Sequence, residues 1–142
     1  MKIAIASDHG GFELKEALKK HYTALNLADL GTYSNDAVDY PDYAQKMAHA
    51  ILSGIADLGL LICGTGVGIS IAANRYKGLR AALIYSTEVA RLAKAHNNAN
   101  ILVFGGRTMV VDDVINRIDT FMQTEYEDGR HQRRLDKIDI ME

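Results

Sequence analysis

Cysteine and proline each occur once in this chain, at Cys63 and Pro41, and tryptophan does not occur at all. One cysteine cannot close an intrachain disulfide, so the fold has no covalent staple and a reducing compartment is the expected setting. Neither sign of charge dominates, since 16 Lys and Arg stand against 18 Asp and Glu for a formal net charge of -2. That balance excludes general attraction to nucleic acid or to an anionic membrane, and basic residues matter locally or not at all. Long apolar runs are missing too. The N-terminal MKIAIAS offers only Ile3 to Ala6 in unbroken apolar sequence, too short for a secretory segment and far too short to span a bilayer. The protein is expected to be soluble and cytoplasmic. Repeats, low-complexity tracts and linkers are also lacking, so residues 1–142 read as one domain.

What remains is a globular composition, 48% hydrophobic and 24% charged, in which short apolar runs alternate with segments of 3.6-residue periodicity. The runs 2–6, 27–30, 57–62, 80–84 and 100–104 read as strands, and their near-continuous apolarity suits a parallel sheet covered on both faces. Between them, four helical stripes recur. They are Leu14, Ala17, Leu18 and Tyr22; Ala44, Met47, Ala48 and Ile51; Ile69, Ala72, Ala73 and Tyr76; and Val89, Ala90 and Ala93 behind an N-cap at Ser86. Val111, Val114, Ile115, Ile118, Phe121 and Met122 form the longest stripe, and Pro41 marks a helix start. Five βα units predict an α/β protein: a single-domain three-layer α/β/α sandwich with a Rossmann-like, five-stranded parallel sheet. The segment 129–142 is helical in spacing but sparse in apolar residues, with Leu135, Ile138 and Met141 its only stripe. A helix so polar is expected to dock on something, such as another subunit.

Ligands of open α/β sheets bind beyond the carboxyl ends of the strands. The residues after the five predicted strands are Ser7–Gly11, Gly31–Tyr33, Cys63–Gly68, Tyr85–Ser86 and Gly105–Arg107, so polar and reactive types gather where a site is expected. The loop Cys63-Gly64-Thr65-Gly66-Val67-Gly68 resembles a dinucleotide fingerprint in its spacing alone. It follows the third strand rather than the first, no acidic residue ends the next strand, and no G-K-[ST] follows. Its glycines allow backbone N–H groups to approach an anion, or they simply make a tight turn.

Cys63 closes a strand ahead of a helix start, a setting that favours a thiolate with an exposed sulfur, although a lone cysteine also serves as a small core hydrophobe. As an active group it is either a nucleophile or a general base. No H-E-x-x-H or C-x-x-C spacing occurs, which argues against a metal site. His21 and His49 fall within helices and read as structural or solvated. His9, His96 and His131 lie in loops or at helix ends beside Asp8, Asn97 and several arginines, and together they look like a site. Arg107 follows Gly105-Gly106, and Arg130 and Arg134 share a helical face; converging guanidiniums bind phosphate, whereas solvated arginines would pair with Asp and Glu. In a chain of this net charge, such a cluster points to a small phosphorylated ligand.

Taken in order, IAIASDHGGFELKE, YPDYA, ICGTGVGISIAANR, AHNNANILVFGGR and YEDGRHQRR resemble the ribose-5-phosphate isomerase B family along nearly the whole chain. The resemblance implies a metal-free, cofactor-free aldose–ketose isomerase working through a cis-enediolate. It also implies a homodimer or homotetramer whose active sites are shared between subunits. It assigns Cys63 as general base and Thr65 as the residue that helps move the hydroxyl proton. His96, with Asp8, would assist opening of the sugar ring. The backbone of Gly64, Thr65, Gly66, Val67 and Gly68 would form the anion hole, and Asn97 would contact the sugar. Phosphate ligands fall on His9, Arg107, Arg130, His131 and Arg134, and Tyr43, or else Tyr40, would line the sugar. A free thiol with a pKa of about 8.5 is only a few per cent thiolate at neutral pH, so a cysteine base would need help from its loop. Two other readings stay open. One is an isomerase of allose 6-phosphate or galactose 6-phosphate, on the same fold. The other is a sugar-phosphate sensor without chemistry, which would need the arginines but not Cys63, Thr65 and His96.

Overall fold

The apolar runs become five parallel strands, β1 (Ile3–Ser7), β2 (Ala28–Asp29), β3 (Leu58–Cys63), β4 (Ala81–Leu83) and β5 (Ile101–Gly105), in a computed structural model that describes residues 1–140. Their order across the sheet is β2-β1-β3-β5-β4. The register sets Ser7 beside Ile62 and Cys63 beside Gly105, so the ends of the three central strands are level. Strand alternation divides the core in two. Ile3, Ile5, Leu60, Ile62, Leu102 and Phe104 face α1 (Phe12–His21), α4 (Thr87–Ala95) and α5 (Val111–Met122). Ala4, Ala6, Leu61, Cys63, Ile101 and Val103 face α2 (Tyr40–Leu52) and α3 (Val67–Ala73). Period-2 alternation of this kind is what a doubly covered sheet requires.

Local signals act as expected at several ends. Pro41 sits in the first turn of α2, where its missing N–H costs nothing. The Ser86 side chain accepts the Val89 N–H at 3.1 Å and starts α4. The expected helix over 129–142 is shorter: α6 covers only Arg130–Leu135 and turns follow it. Too few apolar residues are available to anchor a longer helix. Ile138 stays 51% exposed, while Met141 lies outside the described residues. No described helix is long and apolar enough to cross a membrane.

Lys15, which the apolar stripe of α1 leaves out, has a fully buried side chain. Its Nζ lies 2.7 Å from Asp29 Oδ2 and 2.9 Å from Glu16 Oε2, and Lys19 adds a second bond to Asp29 at 2.8 Å. Burial pushes the Asp29 carboxyl up, but hydrogen bonds from Lys15, Lys19 and the Gly31 N–H outweigh it and hold it below the usual value. The short strand β2 is thereby pinned to α1. Asp29→Asn is expected to cost about 3 kcal/mol in urea unfolding at pH 7, because it weakens the partner set of a buried ammonium. A carboxylate lowered in the folded state stabilises fully above its unfolded pKa, about 3.9, and loses that contribution as pH falls through the folded value. The gap between wild type and variant should therefore close on acidification below about pH 4.

Candidate active site

Between β1 and β3 the chain switches direction: β1 leads outward to β2 on one side, and β3 leads to β4 on the other. The crevice at the carboxyl ends of such neighbours is the characteristic ligand position of the fold. Two segments meet there. A Cβ built on Gly10 would lie 3.0 Å from the Gly64 backbone, so the Asp8–Gly11 turn and the Cys63–Gly68 loop are in close approach that only glycine permits. Arg107 joins them from β5, its N–H donating to Gly64 O at 2.9 Å, while Gly106 N–H donates to Cys63 O at 2.8 Å.

Each side chain at this end has a definite task. Asp8, buried, caps its own turn by accepting the Gly10 and Gly11 N–H groups on Oδ1 at 2.9 and 3.2 Å. His9 accepts the Val38 N–H on Nδ1 at 3.1 Å, which leaves Nε2 as the donor of the neutral ring. Gly66 adopts φ 83°, and a Cβ there would meet Leu83 at 2.6 Å and the Phe104 backbone at 3.0 Å. That left-handed turn brings the Gly66 N–H to Cys63 Sγ at 3.1 Å, and the Val67 N–H to Thr65 Oγ1 at 3.2 Å. Among the described residues, the N–H groups of Gly64 and Thr65 donate to no protein acceptor. Thr65 itself is exposed.

The expectation of an exposed sulfur needs correction. Cys63 retains 4% of its surface. As the last residue of β3, it points to the same face as Leu61, into the α2/α3 core layer, and the loop folds back over it. The two tyrosines of YPDYA divide. Tyr40 packs on Gly68, its Cζ 2.7 Å from where a Cβ would stand, and Tyr43 packs against Gly31. Tyr43 also borders a surface cleft of about 750 Å³ along α2, lined by Leu30, Lys46 and His49, away from the cysteine loop. Thr65 and Val67 border a separate cleft of about 470 Å³ with Tyr85, Val110 and Arg117. The loop carries the reactive groups, so the larger cleft is not the better candidate. His21 and His49 are exposed, as expected of solvated histidines.

The remaining candidates lie at the other end of the sheet. Helix α4 runs antiparallel to the strands and ends at His96, its C-cap, and the chain turns through Asn97 and Asn98 into β5. β5 begins at Ile101 opposite Gly59, four residues before Cys63, so at about 3.3 Å per residue the start of β5, which His96 precedes, lies about 13 Å along the sheet from the level of Cys63. Helix α5 returns to that same end, and His131 on α6 stacks on His96 with ring centroids 4.2 Å apart and planes 15° from parallel. His131 is buried, while Arg130 and Arg134 are exposed. Neither of them, nor Arg107, forms an ion pair among the described residues. Glu127, which sequence reading did not single out, faces the Nε2 atoms of both imidazoles, 3.8 Å from His96 Nε2 and 3.5 Å from His131 Nε2. Its one sequence signal is a position four residues before His131. The expected grouping of His9 with His96 and His131, and of Asp8 with His96, thus does not occur within one chain. Two candidate clusters form, one at each end of the sheet.

Comparison with known proteins matches this architecture closely. The ribose/galactose isomerase family model aligns with residues 3–138. Ribose-5-phosphate isomerase B of Escherichia coli is 42% identical over 143 residues, covering 99% of this chain and 96% of the relative. A ribose 5-phosphate isomerase from Thermotoga maritima superposes with a TM-score of 0.95 at 54% identity, over 99% of this chain and 98% of that one. Ribose-5-phosphate isomerase B from Mycoplasma genitalium, solved with bound ribulose 5-phosphate, gives 0.89 at 44% identity, over 96% and 93% of the two chains. A glycine-bounded cysteine loop at the switch point, on a fold that aligns from end to end at these identities, leads to one conclusion: this chain belongs to the ribose/galactose isomerase family.

Proposed function

We propose that this protein interconverts ribose 5-phosphate and ribulose 5-phosphate through a cis-enediolate, with Cys63 as general base. The observation that carries the reading is the Cys63–Gly68 loop. Its sulfur already accepts one backbone N–H, two neighbouring N–H groups are unspent, and a guanidinium without a carboxylate partner adjoins it. The bound ribulose 5-phosphate of the Mycoplasma genitalium relative supports a phosphorylated sugar as the ligand class.

In the opened aldose, the thiolate takes the proton from C2 and becomes the thiol, and the electron pair moves to the C1 oxygen. The loop N–H groups lower the barrier by favouring the oxyanion that exists only in the transition state and intermediate. The thiol then returns its proton to C1, while Thr65 helps the hydroxyl proton pass from the C2 oxygen to the C1 oxygen. His9, with its Nε2 donor, and Arg107 hold the phosphate from the loop side. Arg130, His131 and Arg134 hold it from the other half-site, where His96, working toward Asp8, assists ring opening and Asn97 contacts the sugar. Tyr43 or Tyr40 lines the sugar, and the Tyr40 contact with Gly68 favours Tyr40.

The two half-sites lie at opposite ends of one sheet, which supports a homodimer or homotetramer in which the His96–His131 end of one subunit faces the cysteine loop of its partner. Conversion of ribose 5-phosphate by the purified protein in EDTA tests the reading; tight binding without turnover would favour a sensor instead. Comparing kcat/KM for ribose, allose and galactose phosphates tests the substrate. Arg134→Ala is expected to raise KM by about tenfold or more with kcat little changed, because a phosphate contact acts on ground and transition states alike. A loss confined to kcat would contradict that role.

A further inference from the structure

The cluster of His96, Glu127 and His131 has a chemistry that isomerisation does not require. Three ligand atoms, two imidazole nitrogens and a carboxylate oxygen, all lie within 4.8 Å of one another. Glu127 Oε1 stands 3.8 Å from His96 Nε2 and 3.5 Å from His131 Nε2. We propose that this cluster binds a divalent transition-metal ion of the zinc type, and that its occupancy inhibits the isomerase. The inhibitory part rests on the functional reading above, because it requires His96 and His131 to serve the substrate.

The geometry is close to what the ion needs. Tetrahedral zinc with nitrogen and oxygen ligands at about 2.0–2.2 Å sets those ligand atoms about 3.3–3.5 Å apart. Of the two separations to Glu127, the shorter meets that spacing and the longer exceeds it by a few tenths of an ångström, while the two imidazole nitrogens stand no more than 4.8 Å apart. Glu127 can close its own gap, since its side chain is 53% exposed and free to turn. The imidazoles must splay from their 15° stack to converge on one ion, a rotation about side-chain torsions alone.

The backbone holding the three ligands is fixed. Glu127 N–H donates to Ala95 O at 3.0 Å, immediately before His96, and His131 N–H donates to Asp128 O at 3.1 Å. Two imidazoles and one carboxylate select zinc, nickel or copper over magnesium and calcium, which prefer oxygen. They also match the three-protein-ligand sites that keep a fourth position open. An ion so held occupies the ring nitrogens that would otherwise contact the sugar phosphate. The isomerase would then be most active free of metal and would be shut off by loosely available zinc.

The test is zinc titration of metal-free protein by calorimetry, with cobalt(II) absorption in the visible as a second probe of four-coordinate geometry. One ion per chain is expected, with Glu127→Gln weakening binding by about tenfold or more and His131→Ala by more still. His21→Gln, which removes an exposed histidine elsewhere, should leave binding unchanged. In turnover assays zinc should raise the apparent KM for ribose 5-phosphate at the concentrations where it binds. EDTA should reverse the effect, and Glu127→Gln should need correspondingly more zinc. Absence of zinc binding, or binding that Glu127→Gln and His131→Ala leave intact while Cys63→Ala removes it, would overturn the proposal. So would an enzyme that zinc activates. Calorimetry reads the site without turnover, so a metal-free protein that binds zinc at these residues but converts no sugar would refute the isomerase reading and the inhibitory role, not the site.

Discussion

Cys63→Ala is expected to lower kcat by about 10³–10⁴-fold, the upper part of the range for removing a positioned general base. The binding of ribulose 5-phosphate should change little, because the phosphate ligands and the loop N–H groups remain. The fold should survive: cysteine to alanine deletes one buried atom next to Leu61 and Ile69, a loss of about 1 kcal/mol. Cys63→Ser is the sharper variant. It keeps the shape and can still accept the Gly66 N–H, but a hydroxyl is far too weakly acidic to supply an anionic base at neutral pH. Both variants should therefore fail in turnover while melting near the wild type. If either kept wild-type kcat, the base would have to be sought elsewhere at the crevice.

The second large effect concerns the distance between the half-sites. Cys63→Ala and a His96→Ala, Arg134→Ala double variant should each be nearly inactive alone. Mixed in equal amounts and allowed to exchange subunits, they should recover about a quarter of wild-type activity. Half of the dimers are then mixed, and each mixed dimer has one of its two sites intact, since an isologous interface presents each subunit's two ends to the partner's opposite ends. A site built within one chain would give no recovery, because every chain carries a lesion. The strand register already argues against the single-chain arrangement. Gly105 stands beside Cys63 and Ile101 beside Gly59, so α4 must end at the far edge of the sheet.

Much of this was legible in the residues themselves. The five apolar runs became the five strands with a shift of one residue at each end, because in the central strands burial on both faces demands unbroken apolarity. Ser86, Pro41 and Gly66 signalled their turns through local backbone chemistry that needs no distant partner. The candidate residues at the first and third strand ends gathered as expected, since the carboxyl ends of neighbouring parallel strands lie side by side. Lys15 was not legible. An ammonium on a helix reads as solvent-facing until Asp29, fourteen residues away, turns out to lie beneath it.

His96 could be named from the sequence but not placed, for a different reason. It precedes β5 in the chain and so stands at the amino end of that strand, but assigning it an end of the sheet requires knowing where α4 stops. The cysteine's exposure was misread because its direction depends on strand parity and on the fold-back of the next three residues.

The sequence by itself determined the fold class, the family and the candidate reactive groups, because periodicity, turn chemistry and residue type are local properties of the chain. The tertiary structure alone decided that these groups form two separate clusters in one chain, that Cys63 lies under its loop, and that Glu127 faces two imidazoles. Those facts depend on strand order, register and helix length together, and contacts between segments far apart in the chain are fixed only when the sheet has assembled.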